Sequence, residues 1–168
     1  MFTINYTDKH GHAIRIEVDK NSPNAFLGQG GTGCVYQGIR MDTDSGVYSK
    51  VAVKFLGEGI GDSIDNKIIE RARRETLVSE HIQNNDNLLQ MYDFVEQTDS
   101  RGRSTFCVVS ELIEGVMLND LIEGKLKSQD GLVHEEISKL YNQYQNDCDE
   151  FARFIMRRIM SGIMAMHD

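Results

Sequence analysis

The 168-residue chain has a single proline, Pro23, and only three cysteines, Cys34, Cys107 and Cys148. The cysteine count is odd, the spacings are wide and no CxxC pair occurs. Neither a disulfide framework nor a zinc ribbon is therefore expected, and a reducing cytoplasm suits the chain best. Basic residues are in deficit: 18 Lys and Arg stand against 26 Asp and Glu, for a net charge of −8. A phosphate backbone demands a basic surface, which argues against nucleic acid as the main partner. No apolar run approaches the ~18 residues of a membrane span. The opening MFTINYTDKHGH lacks the charged-then-apolar pattern of a signal peptide, so the acceptor-like Asn5-Tyr6-Thr7 is read as chance. His10-Gly11-His12 has no recognisable carboxylate or thiol partner, so no metal site is expected there and a turn is the better reading.

What is present suits a folded domain. Apolar residues make up 40% and charged residues 26% of the chain, well inside the globular range. A chain of this length buries roughly 70% of its unfolded surface without covalent help. Residues 2–6 and 14–18 alternate apolar and polar around Asp8 to Gly11, the pattern of a β-hairpin. FLGQGGTGCVYQGIR is glycine-rich and flanked by strand formers, VYSKVAVKFL reads as a strand, and residues 57–63 as a loop. A helix is predicted over 64–83, then strands over 88–96 and 105–112. After Gly115 the strand signal stops. Residues 151–166 carry the strongest helical stripe, Phe151, Phe154, Ile155, Ile159, Gly162, Ile163 and Met166, with Arg158 interrupting it. Residues 134–146 carry a weaker one. The expected fold is α+β in three parts: a hairpin extension (1–20), a β-rich segment with one helix (21–114) and a helical segment (115–168).

Two features carry chemistry. Gly28-Gln29-Gly30-Gly31-Thr32-Gly33 matches GxGxxG, a weak signal when alone. Cys34-Val35-Tyr36 then favours strand rather than helix, so a hairpin covering phosphates fits better than a dinucleotide fold, and an ordinary glycine turn remains the plain alternative. Without Cβ atoms, backbone N–H groups can approach phosphate oxygens closely. There is no Gly-Lys-Ser/Thr ending. In Val51-Ala52-Val53-Lys54-Phe55, Lys54 shares a face with Ala52, opposite Val51, Val53 and Phe55. On the predicted helix, Ile64, Ile68, Ala72, Ser79 and Ile82 fall within about 60° of Glu75. Glu75 is therefore expected in the buried stripe, where a carboxylate needs a cation. Lys54 can supply it from the sheet, and Arg71 can supply it locally, one turn earlier.

In their order, LGQGGTGCV, VAVK, a helix bearing Glu75, DNLLQMYDF, CVVSELIEGVMLNDLI and IMSGIMAMHD resemble the protein kinase family of the eukaryotic-like Ser/Thr type. The resemblance covers about residues 20–168 and leaves the hairpin outside. It implies an antiparallel N-lobe with one helix, followed by an incomplete helical C-lobe. It also implies transfer of the ATP γ-phosphoryl group to a protein Ser/Thr hydroxyl. Gly28, Gly30 and Gly33 would cover the phosphates, and Lys54 would bind the α- and β-phosphates and pair with Glu75. Leu27, Val35 and Ala52 would enclose the adenine from above, and Leu118 from below. The Glu111 and Ile113 backbones would meet its edge, with Ser110 guarding the pocket behind.

The sequence departs from that pattern in several places. Thr32 stands where the family usually has an aromatic residue. Residues 128–150 read as an insertion between two helices. Neither an HRD motif nor a DFG motif occurs in the 168 residues, so the catalytic base and the Mg2+ ligands are not among them. The expectation is a truncated kinase whose isolated 168 residues do not turn over. A pseudokinase or scaffold module of the same fold is the alternative, and a small-molecule kinase of that fold a more distant one. Self-association through 151–166 is also expected.

Overall fold

The computed structural model describes residues 1–59, 64–82, 85–128 and 130–166. Residues 60–63 of the expected loop and His167-Asp168 lie outside the described residues. The chain divides into two compact units, one formed by 1–83 and 89–112, the other by 84–88 and 113–168.

The first unit holds β1 (Phe2–Thr7), β2 (Ala13–Val18), β3 (Phe26–Gly30), β4 (Gly33–Asp42), β5 (Tyr48–Leu56), α1 (Asn66–His81), β6 (Met91–Thr98) and β7 (Ser104–Glu111). All strand pairs are antiparallel. The sheet runs β1-β2-β4-β5-β7-β6, with β3 also paired to β4. The strand alternation decides which side is buried. Val51, Val53 and Phe55 turn to a core shared with Ile4, Ile14, Ile16, Val18, Val95, Cys107 and Val109. Ile16, Val18, Val51, Val53 and Val109 have no exposed surface at all. Each such side chain contributes roughly 1.5–3 kcal/mol by leaving water.

The hairpin that the sequence sets apart as an extension is thus built into the first unit. It adds two strands to the sheet and four side chains to its main core. The sheet curls so that the Tyr6 hydroxyl donates to Asp93 on β6 at 2.6 Å, and Arg40 lies 3.4 Å from Asp8 and 4.0 Å from Asp93. Burial first, and then the Asp93 carboxylate, push the Tyr6 phenol well above its ordinary pKa. Gly38 lets β2 and β4 pair closely, because a Cβ there would lie 3.1 Å from the Glu17 carbonyl oxygen and force a shift of a few tenths of an ångström.

Helix α1 packs on the opposite side of the sheet through Ala72, against Leu56 and Val108 with Ile64, Met91, Phe94 and Phe106 around them. It starts at Asp65, whose carboxylate accepts from the Lys67 N–H at 2.9 Å, satisfying an otherwise unpaired donor of the first turn.

The second unit contains α2 (Leu118–Ile122), α3 (Glu135–Asn146) and α4 (Cys148–Ala165). Leu121, Ile137 and Phe151 form its core, with Tyr141 and Tyr144 against them. The segment read as an insertion, 128–150, carries all of α3 and supplies Ile137 to that core. Asp147 caps α4 by accepting from the Glu150 N–H at 2.9 Å. Gly162 in α4 lies against residues 87 and 88, since a Cβ there would stand 3.2 Å from the Asn87 carbonyl oxygen.

Candidate functional site

The register of the central strands puts the expected site residues on one face. Val35 pairs with Lys54 and Gln37 with Ala52. Ala52 pairs in turn with Ser110, and Lys54 with Val108. Because pairing partners point the same way, Val35, Ala52, Lys54 and Ser110 share the side of the sheet that α1 covers in part. Leu27 falls where the β3–β4 register shifts, between Phe26 and Gly28. Leu27, Val35, Ala52 and Lys54 are half-buried and Ser110 is buried. The Glu111 N–H is engaged by the Gln90 carbonyl oxygen at 2.9 Å, and its own carbonyl accepts from the Ser110 hydroxyl at 3.3 Å, which leaves that oxygen a second lone pair. Ile113 and Leu118 belong to the second unit, where both are exposed.

A cavity of about 420 Å³ lies between β5 and α1, lined by Thr32, Lys54, Leu56, Lys67, Ile68, Arg71, Ala72, Glu75, Met91 and Val108. It brings Lys54 and Glu75 to the walls of one space without joining them. Among the described residues, no ion pair to Lys54 lies within 4.0 Å. Glu75 instead accepts from Arg71 Nε at 2.8 Å, with 48% of its own side chain exposed and 82% of Arg71's.

The expectation that Glu75 sits in the middle of the buried stripe is therefore corrected. The buried helix positions are Ile69, Ala72 and Thr76, and Thr76 lies about 100° round the helix from Glu75. Thr76 falls outside the window of about 60° that centred the expected stripe on Glu75. Its hydroxyl is satisfied inside the helix, donating to the Ala72 carbonyl at 3.0 Å, so it can be buried. Including it turns the stripe and leaves Glu75 at the edge. There a half-exposed carboxylate is served by the nearest cation on its own helix.

The glycines of the loop divide into two kinds. A Cβ at Gly28, Gly30 or Gly31 would meet nothing within 4 Å. A Cβ at Gly33 would lie 2.0 Å from the Phe55 carbonyl oxygen. Gly33 is thus required by the packing of β4 on β5, whatever else it does. Among the described residues no packing contact requires glycine at Gly28 or Gly30, although the φ of +159° at Gly28 itself favours one.

Lys67 and Arg71 were not singled out as cavity residues from the sequence. Their spacing of four puts them on one helix face, which was the available signal. Lys54, Lys67 and Arg71 against the single carboxylate of Glu75 make the cavity lining cationic, the reverse of the chain's net charge of −8. Among the described residues, no group of three or more His, Cys, Asp or Glu is placed to hold a metal ion. No described helix is long and apolar enough to cross a membrane.

A family model described as the protein kinase domain matches residues 22–168. No curated protein matches the chain.

Proposed function

Since the chain belongs to the protein kinase domain family over residues 22–168, the family of kinase-type phosphotransfer enzymes, we propose that its first unit binds ATP on the Lys54 face of the sheet. The observation that carries this is the cationic cavity holding Lys54 and Glu75, beside a loop whose Gly28 and Gly30 have open space where a side chain would stand. Glycines that no packing contact requires leave the backbone N–H groups open to phosphate oxygens. Lys54 then neutralises phosphate charge, while Leu27, Val35 and Ala52 supply an apolar ceiling for adenine. The Glu111 carbonyl accepts from the adenine edge.

In this reading, ATP supplies the γ-phosphoryl group and Mg2+ the neutralising charge, and the acceptor is a protein Ser/Thr hydroxyl. The 168 residues contain neither HRD nor DFG. In this reading the 168 residues bind nucleotide weakly without turning it over, because those motifs orient the hydroxyl and hold the metal in the family. A cytoplasmic setting and self-association through residues 151–166 belong to the same proposal. It is supported by the free thiols of Cys34, Cys107 and Cys148 and by the exposure of Ile159, Met160 and Ile163 on α4.

The test is calorimetric titration of the chain with ATP, with and without Mg2+. The expected result is a micromolar or weaker constant that Lys54→Met weakens further and that Mg2+ changes little. Equal binding by wild type and Lys54→Met would place the nucleotide elsewhere. A binding or scaffold role without nucleotide is the second reading, favoured by the Arg71–Glu75 pair standing where a Lys54–Glu75 pair is expected; it predicts no ATP heat at all.

A further inference from the structure

Lys20, just past β2, is enclosed by aromatic rings. Its Nζ stands 3.4 Å from the Phe55 ring centroid, 5.0 Å from that of Phe2 and 5.2 Å from that of Tyr36. It is ion-paired with Glu58. An ammonium over three rings and against a carboxylate is held by the ring quadrupoles as well as by charge.

Glu58 belongs to the turn that follows β5, and that turn is the bed on which the glycine-rich loop lies. The Tyr36 hydroxyl donates to Glu58 Oε1 at 2.9 Å, and Cys34 Sγ reaches the Glu58 carbonyl at 3.4 Å. The Gln29 side chain donates to the Gly59 carbonyl at 3.0 Å, and the Gly57 N–H donates to the Thr32 carbonyl at 3.0 Å. Three loop residues, Gln29, Thr32 and Cys34, are thus tied to residues 57–59. Gly59, with φ +78°, permits the close approach, because a Cβ there would lie 2.8 Å from Gln29 Nε2 and 3.2 Å from Cys34 Sγ.

We infer that Lys20 is a positioning residue: through its ion pair with Glu58 it fixes the 57–59 turn, and through that turn the conformation of the glycine-rich loop. The physical reason is the partly buried carboxylate. With its cation gone, Glu58 keeps, among the described residues, the Tyr36 hydroxyl to hold it among rings, and turning out to water becomes the better state. The turn then leaves Gln29, Thr32 and Cys34. The two strands before the family match thereby act on the loop from the far side of the sheet. The consequence for nucleotide affinity rests on the reading that the loop covers phosphates; the anchoring itself does not.

Cys34 and Cys107 make the test internal. Both thiols are buried, at 6% and 2% exposure. Cys34 lies under the Glu58 turn, whereas Cys107 belongs to the main core, where burial pushes its pKa up to about 12. Iodoacetamide labelling of each thiol is followed by mass spectrometry in wild type, Lys20→Met, Lys20→Arg and Glu58→Gln, with hydrogen exchange over residues 28–34 and ATP titration in parallel. Lys20→Met and Glu58→Gln are expected to raise Cys34 labelling about tenfold, with faster exchange over 28–34 and a far smaller change at Cys107, whose thiol the Lys20 and Glu58 charges also reach. Lys20→Arg is expected to stay near wild type. An unchanged Cys34 rate, or Cys34 and Cys107 rising together, overturns the inference, the second because it reports general loosening. If Cys34 responds as expected and no form binds ATP, the anchoring stands and the nucleotide reading falls.

Discussion

At the scale of single residues, Glu75 shows where side-chain chemistry outruns periodicity. A buried carboxylate losing its partner would cost several kcal/mol, but a half-exposed pair such as Arg71–Glu75 contributes only about 0–1 kcal/mol. Glu75→Gln is therefore expected to shift the urea midpoint by the equivalent of less than about 1 kcal/mol. A larger loss would mean that the carboxylate is buried in solution. Ser110 gives a second expectation. It is buried, pairs with Ala52 on one side and Met91 on the other, and is small. Adenine analogues bearing an aromatic group on the exocyclic amine should be accepted, and Ser110→Phe should exclude them while sparing ATP. Competition binding with both ligands decides it, and equal binding of the analogue by both forms would remove Ser110 from the adenine site. Lys54 and Ala52 were legible because period two fixes a strand's faces, and Val35 through the family resemblance. Glu75 was misplaced because the stripe was centred on it, whereas the buried positions Ile69, Ala72 and Thr76 lie to one side, and Thr76 can be buried by bonding within its helix.

At the scale of elements, most were legible because their signals are local. The 2–6 and 14–18 alternation became β1 and β2, and the helix predicted over 64–83 runs from Asn66 to His81. The segment 128–150 was harder, since its weak stripe of Ile137, Leu140, Tyr141 and Tyr144 acquires meaning only against Phe151 and Leu121. The turn before α3 is held by Asp130. Its carboxylate accepts from the Ser128 hydroxyl at 2.5 Å and the Leu132 N–H at 2.9 Å, and lies 2.8 Å from His134 Nε2. These contacts, the Ser128 hydroxyl foremost, hold its pKa down to about 2 from an ordinary 3.8. A depressed carboxylate contributes stability that is complete above its unfolded value and fades as pH falls through the folded one. Loss of order in this turn is therefore expected between about pH 4 and pH 2, visible as faster amide exchange at Leu132, and Asp130→Asn should remove that pH dependence. Helix α4 leaves Ile159 48% and Ile163 38% exposed. Light scattering of concentrated chain should show association that Ile159→Glu with Ile163→Glu abolishes; a monomer throughout would end that proposal.

At the scale of the whole molecule, the part least legible was the fate of the hairpin. Its alternation announced two strands but not their partners, because which face of which sheet they complete is a long-range matter. Ile16 is fully buried within the core that also holds Val53 and Phe55. Ile16→Ala should therefore cost about 2–5 kcal/mol and lower the melting of the β5–β7 region along with the hairpin, rather than fraying the hairpin alone. Amide exchange resolved by peptide distinguishes the two. The curl of the sheet has another side, in the order of synthesis. The hydrogen bond from Tyr6 to Asp93 spans 87 positions of sequence. As the chain leaves the ribosome, this hairpin emerges before the strands whose Val53, Val95 and Val109 share the core of Ile4, Ile14 and Ile16. Contacts of such high separation form late, and the apolar surface waiting for them is open to wrong partners meanwhile. Among the described strands, β1 and β2 are thus made well before β6 and β7, whose Val95 and Val109 share their core, and their apolar side chains stay uncovered in the interval.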